Sequence, residues 1–198
     1  DRPDCHREAV MMAVSEDLHH WEKVSGWALY PDMAHYEKND WRDPFVTRQG
    51  DEYWMLLQAR RNEGLPEHRG CTARLVSRDL HHWTLVEPLY APDAFHSHEC
   101  PDLFQMGGRH YLLFSDYSVR HETMYRVADR PQGPWRHPHD PMLDSDACYA
   151  AKTAGDDQQS YLFGWIAGRK GNEDAGELEW GGPLAVHALG ADPDGSLA

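Results

Sequence analysis

Val14-Ser15-Glu16-Asp17-Leu18-His19-His20-Trp21-Glu22-Lys23-Val24 returns 62 residues later as Val76-Ser77-Arg78-Asp79-Leu80-His81-His82-Trp83-Thr84-Leu85-Val86, and eight of the eleven positions are identical. A weaker third copy, Val127-Ala128-Asp129 followed by Gly133-Pro134-Trp135, comes 51 residues after the second. Repeats of this size mark propellers and solenoids, in which each unit buries its apolar faces against its neighbours. Between the copies run short segments rich in aromatic and β-branched residues: Glu52 to Ala59, His110 to Ser115 and Ser160 to Ala167. Each follows turn residues, Gly50-Asp51, Gly107-Gly108 and Asp156-Asp157, as strands do. No long stretch carries a helical period.

One full repeat reads as four strands, near Pro44 to Arg48, Glu52 to Arg60, Thr72 to Arg78 and Trp83 to Leu89. Four antiparallel strands per repeat is one propeller blade, so the predicted fold class is all-β, a β-propeller. Residues 1–40 then end one blade and 41–98, 99–147 and 148–198 are successive blades, about three and a half in all. A ring needs at least about four blades, so the natural protein is expected to be longer, or the chain to pair with a second copy as a homo-oligomer. In the repeat, Asp17 or Asp79 is expected to cap a tight turn through its carboxylate and Trp21 or Trp83 to pack between blades. The paired histidines are thereby read as framework rather than as catalytic groups.

Composition narrows the function classes. With 19 Lys+Arg against 33 Asp+Glu the formal charge is −14, which excludes a generic nucleic-acid binder because phosphate contacts need a basic footprint. A 40% hydrophobic content with eight Trp, nine Tyr and five Phe is enough for a packed core. No apolar run reaches the ~18 to 20 residues of a membrane span. Asp1-Arg2-Pro3-Asp4 holds neither an initiator Met nor an apolar signal core, so the chain is expected to begin inside a longer one, leaving cytoplasm or export open. Cys5, Cys71, Cys100 and Cys148 form no C-x-x-C pair, which suggests neither a zinc ribbon nor a disulfide framework. His96-Ser97-His98-Glu99 gathers two imidazoles and a carboxylate, but its spacing follows no recognisable metal motif. It reads as a polar loop, and no metal or organic cofactor is assigned.

Aligning the blade starts lays Arg42-Asp43-Pro44-Phe45-Val46 over Glu99-Cys100-Pro101-Asp102-Leu103, with the prolines in register. Both Asp43 and Glu99 then fall at the start of an innermost strand and should converge at one mouth of the central channel. Paired carboxylates in a sugar-sized funnel are the raw material of glycoside hydrolysis, in which one acid protonates the leaving oxygen and a carboxylate on the other face attacks or activates water. The same residues also suit a turn or a strand-end ion pair, since Asp before Pro is a common turn element.

Taken in order, Trp41-Arg42-Asp43-Pro44-Phe45-Val46, Glu99-Cys100-Pro101-Asp102-Leu103-Phe104, Tyr149-Ala150-Ala151-Lys152-Thr153 with Phe163-Gly164-Trp165, and Trp180-Gly181-Gly182-Pro183-Leu184 closely resemble the family 32 glycoside hydrolases. These are the invertases, levanases, inulinases and related fructosyltransferases, and they share a five-bladed propeller. The resemblance covers nearly the whole chain. It implies that Asp43 stabilises the transition state by holding fructosyl hydroxyls, with Arg42 beside it, and that Glu99 is the general acid/base. Cys100 would sit against Glu99 and help tune it, and a neighbouring carboxylate with partial burial would favour the protonated acid. Tyr149, Trp165 and Trp180 become candidates for the sugar-binding wall, although Trp and Tyr also wedge blades apart.

The sequence departs from the family in one respect. The family's nucleophile is an Asp in a Trp-x-Asn-Asp-Pro-Asn-type motif on the first blade, and no such motif occurs in these 198 residues. The fragment by itself is therefore expected to be inactive. The leading reading is the central and C-terminal part of a propeller hydrolysing β-fructofuranosides, sucrose or fructans, by a retaining double displacement. The alternatives are a non-catalytic carbohydrate-binding degenerate propeller, and an arabinan- or xylan-acting propeller glycosidase, against which Glu99-Cys100-Pro101 argues. The partner in each case is a small sugar or oligosaccharide, with no nucleic acid and no membrane.

Overall fold

The structure, a computed structural model, describes residues 8–118, 121–144, 148–156 and 159–198. Strand β1 (Val10–Val14) pairs antiparallel with β2 (Glu22–Leu29). Next come β3 (Arg42–Gln49), β4 (Glu52–Arg60), β5 (Gly70–Ser77) and β6 (Thr84–Tyr90), a four-stranded antiparallel sheet in chain order. A third sheet holds β7 (Glu99–Met106), β8 (Arg109–Asp116) and β9 (Glu122–Ala128). Among the described residues its outer edge continues as the bridges Val127 to Arg136 and Met124 to Met142. The last sheet begins with β10 (Cys148–Gly155) and β11 (Ser160–Ile166); after the short hairpin β12 (Gly168–Arg169) and β13 (Leu178–Glu179), β14 (Leu184–Leu189) pairs with β11.

Side-chain alternation explains how the sheets stack. Successive residues of a strand point to opposite faces, and in β4 Met55, Leu57 and Ala59 join a core with Val10, Trp41 and Leu75 on one side. Trp54 and Leu56 join another, with Leu103, Leu112 and Phe114, on the other side. Strand β8 repeats the device, because Tyr111 and Leu113 turn to a third core with Ala151, Leu162 and Leu189. Leu56, Leu57, Leu112 and Leu113 are each 0% exposed, and burying such a side chain contributes about 1.5 to 3 kcal/mol. Sheets packed face to face, with β7 lying between β3 and β10 as neighbouring inner strands, form a β-propeller arrangement.

The repeated heptad acts as a turn. In both copies the serine hydroxyl accepts from the leucine N–H, at 2.8 Å in Ser15 and 2.9 Å in Ser77, and Asp Oδ1 accepts from both histidine N–H groups. Leu18 and Leu80 take left-handed φ values of 62° and 65°, which these bonds hold in place. Hydrogen bonds from the following His also keep the Asp17 and Asp79 carboxyls well below the usual carboxylate range. The packing role expected for the tryptophan differs between the copies. Trp83 lies against the core shared with β1 and β2, whereas Trp21 is 58% exposed and donates its indole N–H only to Leu18 O, since no further sheet covers it among the described residues.

Candidate active site

The three inner strands break register at the same place. Strand β3 shifts between Arg42 and Phe45, β7 between Glu99 and Asp102, and β10 between Tyr149 and Lys152. The second residue of each bulge has a positive φ: Asp43 at 57°, Cys100 at 51° and Ala150 at 53°. Such a conformation costs about 1 to 3 kcal/mol in a non-glycine residue. Hydrogen bonds offset it, because Cys100 N donates to Asp43 Oδ2 at 3.0 Å and Ala150 N donates to Ser115 Oγ at 3.0 Å.

A bulge re-aims side chains, and here it turns the first residue of each bulge, Arg42, Glu99 and Tyr149, toward one point. Arg42 Nη2 donates to Glu99 Oε1 at 2.7 Å, and the Tyr149 hydroxyl donates to Glu99 Oε2 at 2.5 Å. Both Glu99 oxygens are thus engaged by groups from two different sheets. Asp43 sits one residue on, against Cys100, whose Sγ lies 3.7 Å from Asp43 Oδ2. The Cys100 thiol therefore faces Asp43, where the resemblance had set it against Glu99. Burial, followed by the Asp43 charge, pushes that thiol up to about 12, so it stays an S–H donor.

Arg42 is the hub of an acidic surround. Its Nη1 donates to Asp40 Oδ1 at 2.7 Å and to Glu8 Oε2 at 3.1 Å. Burial works against the Arg42 charge, but the hydrogen bonds to Glu99 and Asp40 and the Glu8 charge override it and hold its pKa above the ordinary arginine value. Asp40 also accepts from Gln58 Nε2 at 3.0 Å and lies 3.7 Å from Arg60 Nε. Burial first, and the Glu99 hydrogen bond second, raise the Tyr149 hydroxyl, so this group remains a neutral donor.

All three aromatic candidates come together. Tyr149 ring contacts reach Trp165 at 5.6 Å and Trp180 at 5.4 Å, and the two tryptophans stand 5.8 Å apart. Tyr149 is buried at 2% exposure while Trp180 is 65% exposed, so the cluster leaves an indole open to solvent against the ring whose hydroxyl holds Glu99. The sequence reading missed His121, 4.9 Å from the Trp180 ring, and Tyr117, 6.5 Å from it. It also missed Glu8, Asp40 and Arg60, whose only sequence signal is that Asp40 immediately precedes Trp41-Arg42.

The His96-Ser97-His98 loop divides. His96 meets Arg60, whereas His98 is fully buried, stacked on Phe114 at 4.2 Å with Nδ1 3.2 Å from Thr72 Oγ1. Burial, and then the Arg126 charge, pushes His98 down to about 3, so it is neutral. The two imidazoles serve different surroundings and do not converge on one point with Glu99.

On a β-propeller, a carboxyl group clasped by a cation and a neutral hydroxyl, with a second carboxylate alongside and an exposed indole nearby, gathers groups suited to acid/base chemistry on a sugar. The comparisons sharpen that class. The model of the glycosyl hydrolases family 32 N-terminal domain matches residues 3–187, and the chain belongs to this family. It is 35% identical over 122 residues to a sucrose-6-phosphate hydrolase of Escherichia coli, covering 60% of this chain and 24% of that protein. Among solved structures, a variant of the Bombyx mori GH32 β-fructofuranosidase in complex with sucrose superimposes with a TM-score of 0.70 at 24% identity, over 90% of this chain and 41% of that one. The sucrose-6-phosphate hydrolase of Lactobacillus gasseri gives a TM-score of 0.70 at 19% identity, over 94% and 41%. These likenesses show the propeller fold, and the chain spans about a quarter of the E. coli relative's length.

Proposed function

We propose that this chain carries the acid/base half of an active site that hydrolyses β-fructofuranosidic bonds of sucrose or fructans by a retaining double displacement. The observation that carries the reading is Glu99 held between Arg42 and Tyr149, next to Asp43, where β3, β7 and β10 bulge together. The names of the relatives, hydrolases of sucrose or its 6-phosphate, support the substrate class.

In the first step, protonated Glu99 gives its proton to the glycosidic oxygen as the bond to the anomeric carbon breaks. An attacking carboxylate on the opposite face forms the glycosyl ester. That carboxylate is not among the residues that match the family motifs here. In the second step, Glu99 takes a proton from water, which displaces the ester and returns the free sugar. Arg42 and Tyr149 orient Glu99 through both oxygens. Asp43, braced by the Cys100 N–H and thiol, accepts from fructosyl hydroxyls, and these bonds strengthen as the ring takes on positive charge. Trp165 and Trp180 present apolar faces to the furanose.

The test is Glu99→Gln in the full-length protein. The amide keeps the size and hydrogen-bonding reach of the acid but cannot deliver a proton, so kcat should fall by about 10² to 10⁴-fold with fructose binding retained. Unchanged turnover removes Glu99 from the mechanism. Saturable fructose binding by the wild-type protein with no turnover of any β-fructoside replaces the hydrolase by a carbohydrate-binding propeller.

A further inference from the structure

Arg60 is a buried cation that has reached past its carboxylate partners to grip one histidine. Its side chain is 6% exposed, and Nε donates to Glu37 Oε2 at 3.0 Å while Nη2 donates to Pro66 O at 2.7 Å. The remaining nitrogen, Nη1, lies 3.0 Å from His96 Nδ1 and 2.6 Å from His96 O. A guanidinium has five donors and no acceptor, so the His96 Nδ1 must present its lone pair. A neutral imidazole then carries its hydrogen on Nε2.

The surroundings fix that ring before any ligand arrives. Gly70 lets the β5 backbone come so close that a Cβ there would stand 2.6 Å from Ser97 N, and Ser97 N and Oγ both donate to Asp116 Oδ1, at 3.2 and 3.3 Å. The His96 ring meets the Tyr117 ring at 5.7 Å, edge to face, and Tyr117 in turn meets Trp180. Burial, then the negative charges of Glu99 and Asp40, raise the Tyr117 hydroxyl, so it stays protonated. His96 Nε2 makes no hydrogen bond among the described residues.

We propose that Arg60 locks His96 in its Nε2–H tautomer and that this N–H is a neutral, oriented donor to a hydroxyl of the bound sugar. His96 is then a specificity-determining residue on the rim between Glu99 and the aromatic wall, and it takes no part in proton transfer. The proposal rests on the fructoside reading for the identity of its ligand only. His96 is half-buried, and a sugar that lacks the matching hydroxyl would displace water from Nε2–H without replacing its hydrogen bond, so the site discriminates against it.

Two measurements test it. In the ¹⁵N-labelled wild-type chain, long-range ¹H–¹⁵N correlation should show His96, assigned by the signals lost in His96→Gln, with a protonated Nε2 and an unprotonated Nδ1. Added fructose should move the Nε2 resonance. A protonated Nδ1, or a ring that exchanges freely between tautomers, overturns the lock. In the full-length protein acting on sucrose, His96→Phe keeps the ring but not the donor and should raise KM about tenfold while kcat stays within about twofold. His96→Gln places an amide N–H near the Nε2 position and should bring KM back to within about threefold of wild type. An unchanged KM in His96→Phe overturns the donor role while leaving the fructosidase reading intact. If the wild-type protein turns over no fructoside and fructose still shifts the Nε2 signal, the hydrolase reading fails and the donor stands.

Discussion

Gly70→Ala is the most informative single methyl that can be added to this protein. The added Cβ would lie 2.6 Å from Ser97 N, 2.7 Å from the His96 carbonyl carbon and 2.8 Å from its oxygen. All three are backbone atoms, so no side-chain rotation relieves the clash, and the loop that leads into Glu99 must move. Overpacking of this kind costs about 1 to 3 kcal/mol. The φ of Gly70 is not positive, so the alanine gains about 0.4 to 1 kcal/mol from the reduced freedom of the unfolded chain. The net expectation is a loss of up to about 2.5 kcal/mol, which in a protein of this size lowers Tm by up to about 10 °C. Gly190→Ala is the matched control, since its Cβ would meet only Ala198 O at 3.6 Å, an ordinary contact, and its Tm should hold or rise slightly. Thermal unfolding followed by tryptophan fluorescence reads both variants. Fructose binding should weaken in Gly70→Ala, because His96 sits on the displaced loop and Glu99 starts the strand that follows it. A Gly70→Ala protein with the Tm and fructose affinity of the wild type would refute the claim that this close approach positions the loop.

Three further outcomes are expected. Trp180→Ala should leave Tm nearly unchanged, because the indole is 65% exposed, yet weaken fructose binding about tenfold in calorimetric titration if that face carries the furanose. The Cys71 and Cys100 thiols are pushed up to about 12 by burial, so in alkali the unfolded chain loses these protons first; their stabilisation is complete below about pH 9 and should fall as pH rises toward 12, with Cys71→Ala showing a shallower decline in denaturant midpoint. For Asp79 the sign is opposite: backbone and side-chain hydrogen bonds from His82 depress its carboxyl, so the turn's contribution is present above about pH 4 and is lost on acidification. The denaturant midpoint at pH 7 should rank wild type above Asp79→Asn, which keeps the acceptor for the His81 and His82 N–H groups, and Asp79→Asn above Asp79→Ala.

Much of the site was legible because its strands repeat. The prolines of Arg42-Asp43-Pro44 and Glu99-Cys100-Pro101 already set the two blade starts in register, and the structure has both at a bulge of an inner strand. Tyr149 has no proline after it, yet it occupies the third equivalent position, before a positive-φ Ala150. What the alignment could not supply was direction. Whether residue one or residue two of a bulge faces Glu99 depends on backbone angles that Asp, Cys and Ala do not advertise, and so Cys100 turned to Asp43. Arg60, Tyr117 and His121 lie outside the motifs altogether, and nothing local marks them.

The linear chain by itself determined the fold class and the turn chemistry. The alternation of β4 and β8 side chains between two cores, and a Ser-x-Asp-Leu-His-His-Trp turn bonded in the same way twice, are consequences of short-range stereochemistry that any copy of those residues carries. Tertiary structure alone decided the chemistry. Glu99 meets Arg42 from 57 residues away and Tyr149 from 50 away, and Arg60 reaches His96 across 36. Those partners are chosen by which sheets lie side by side and by the shared bulge that tilts three inner strands toward one point, a geometry that exists only once the sheets have packed.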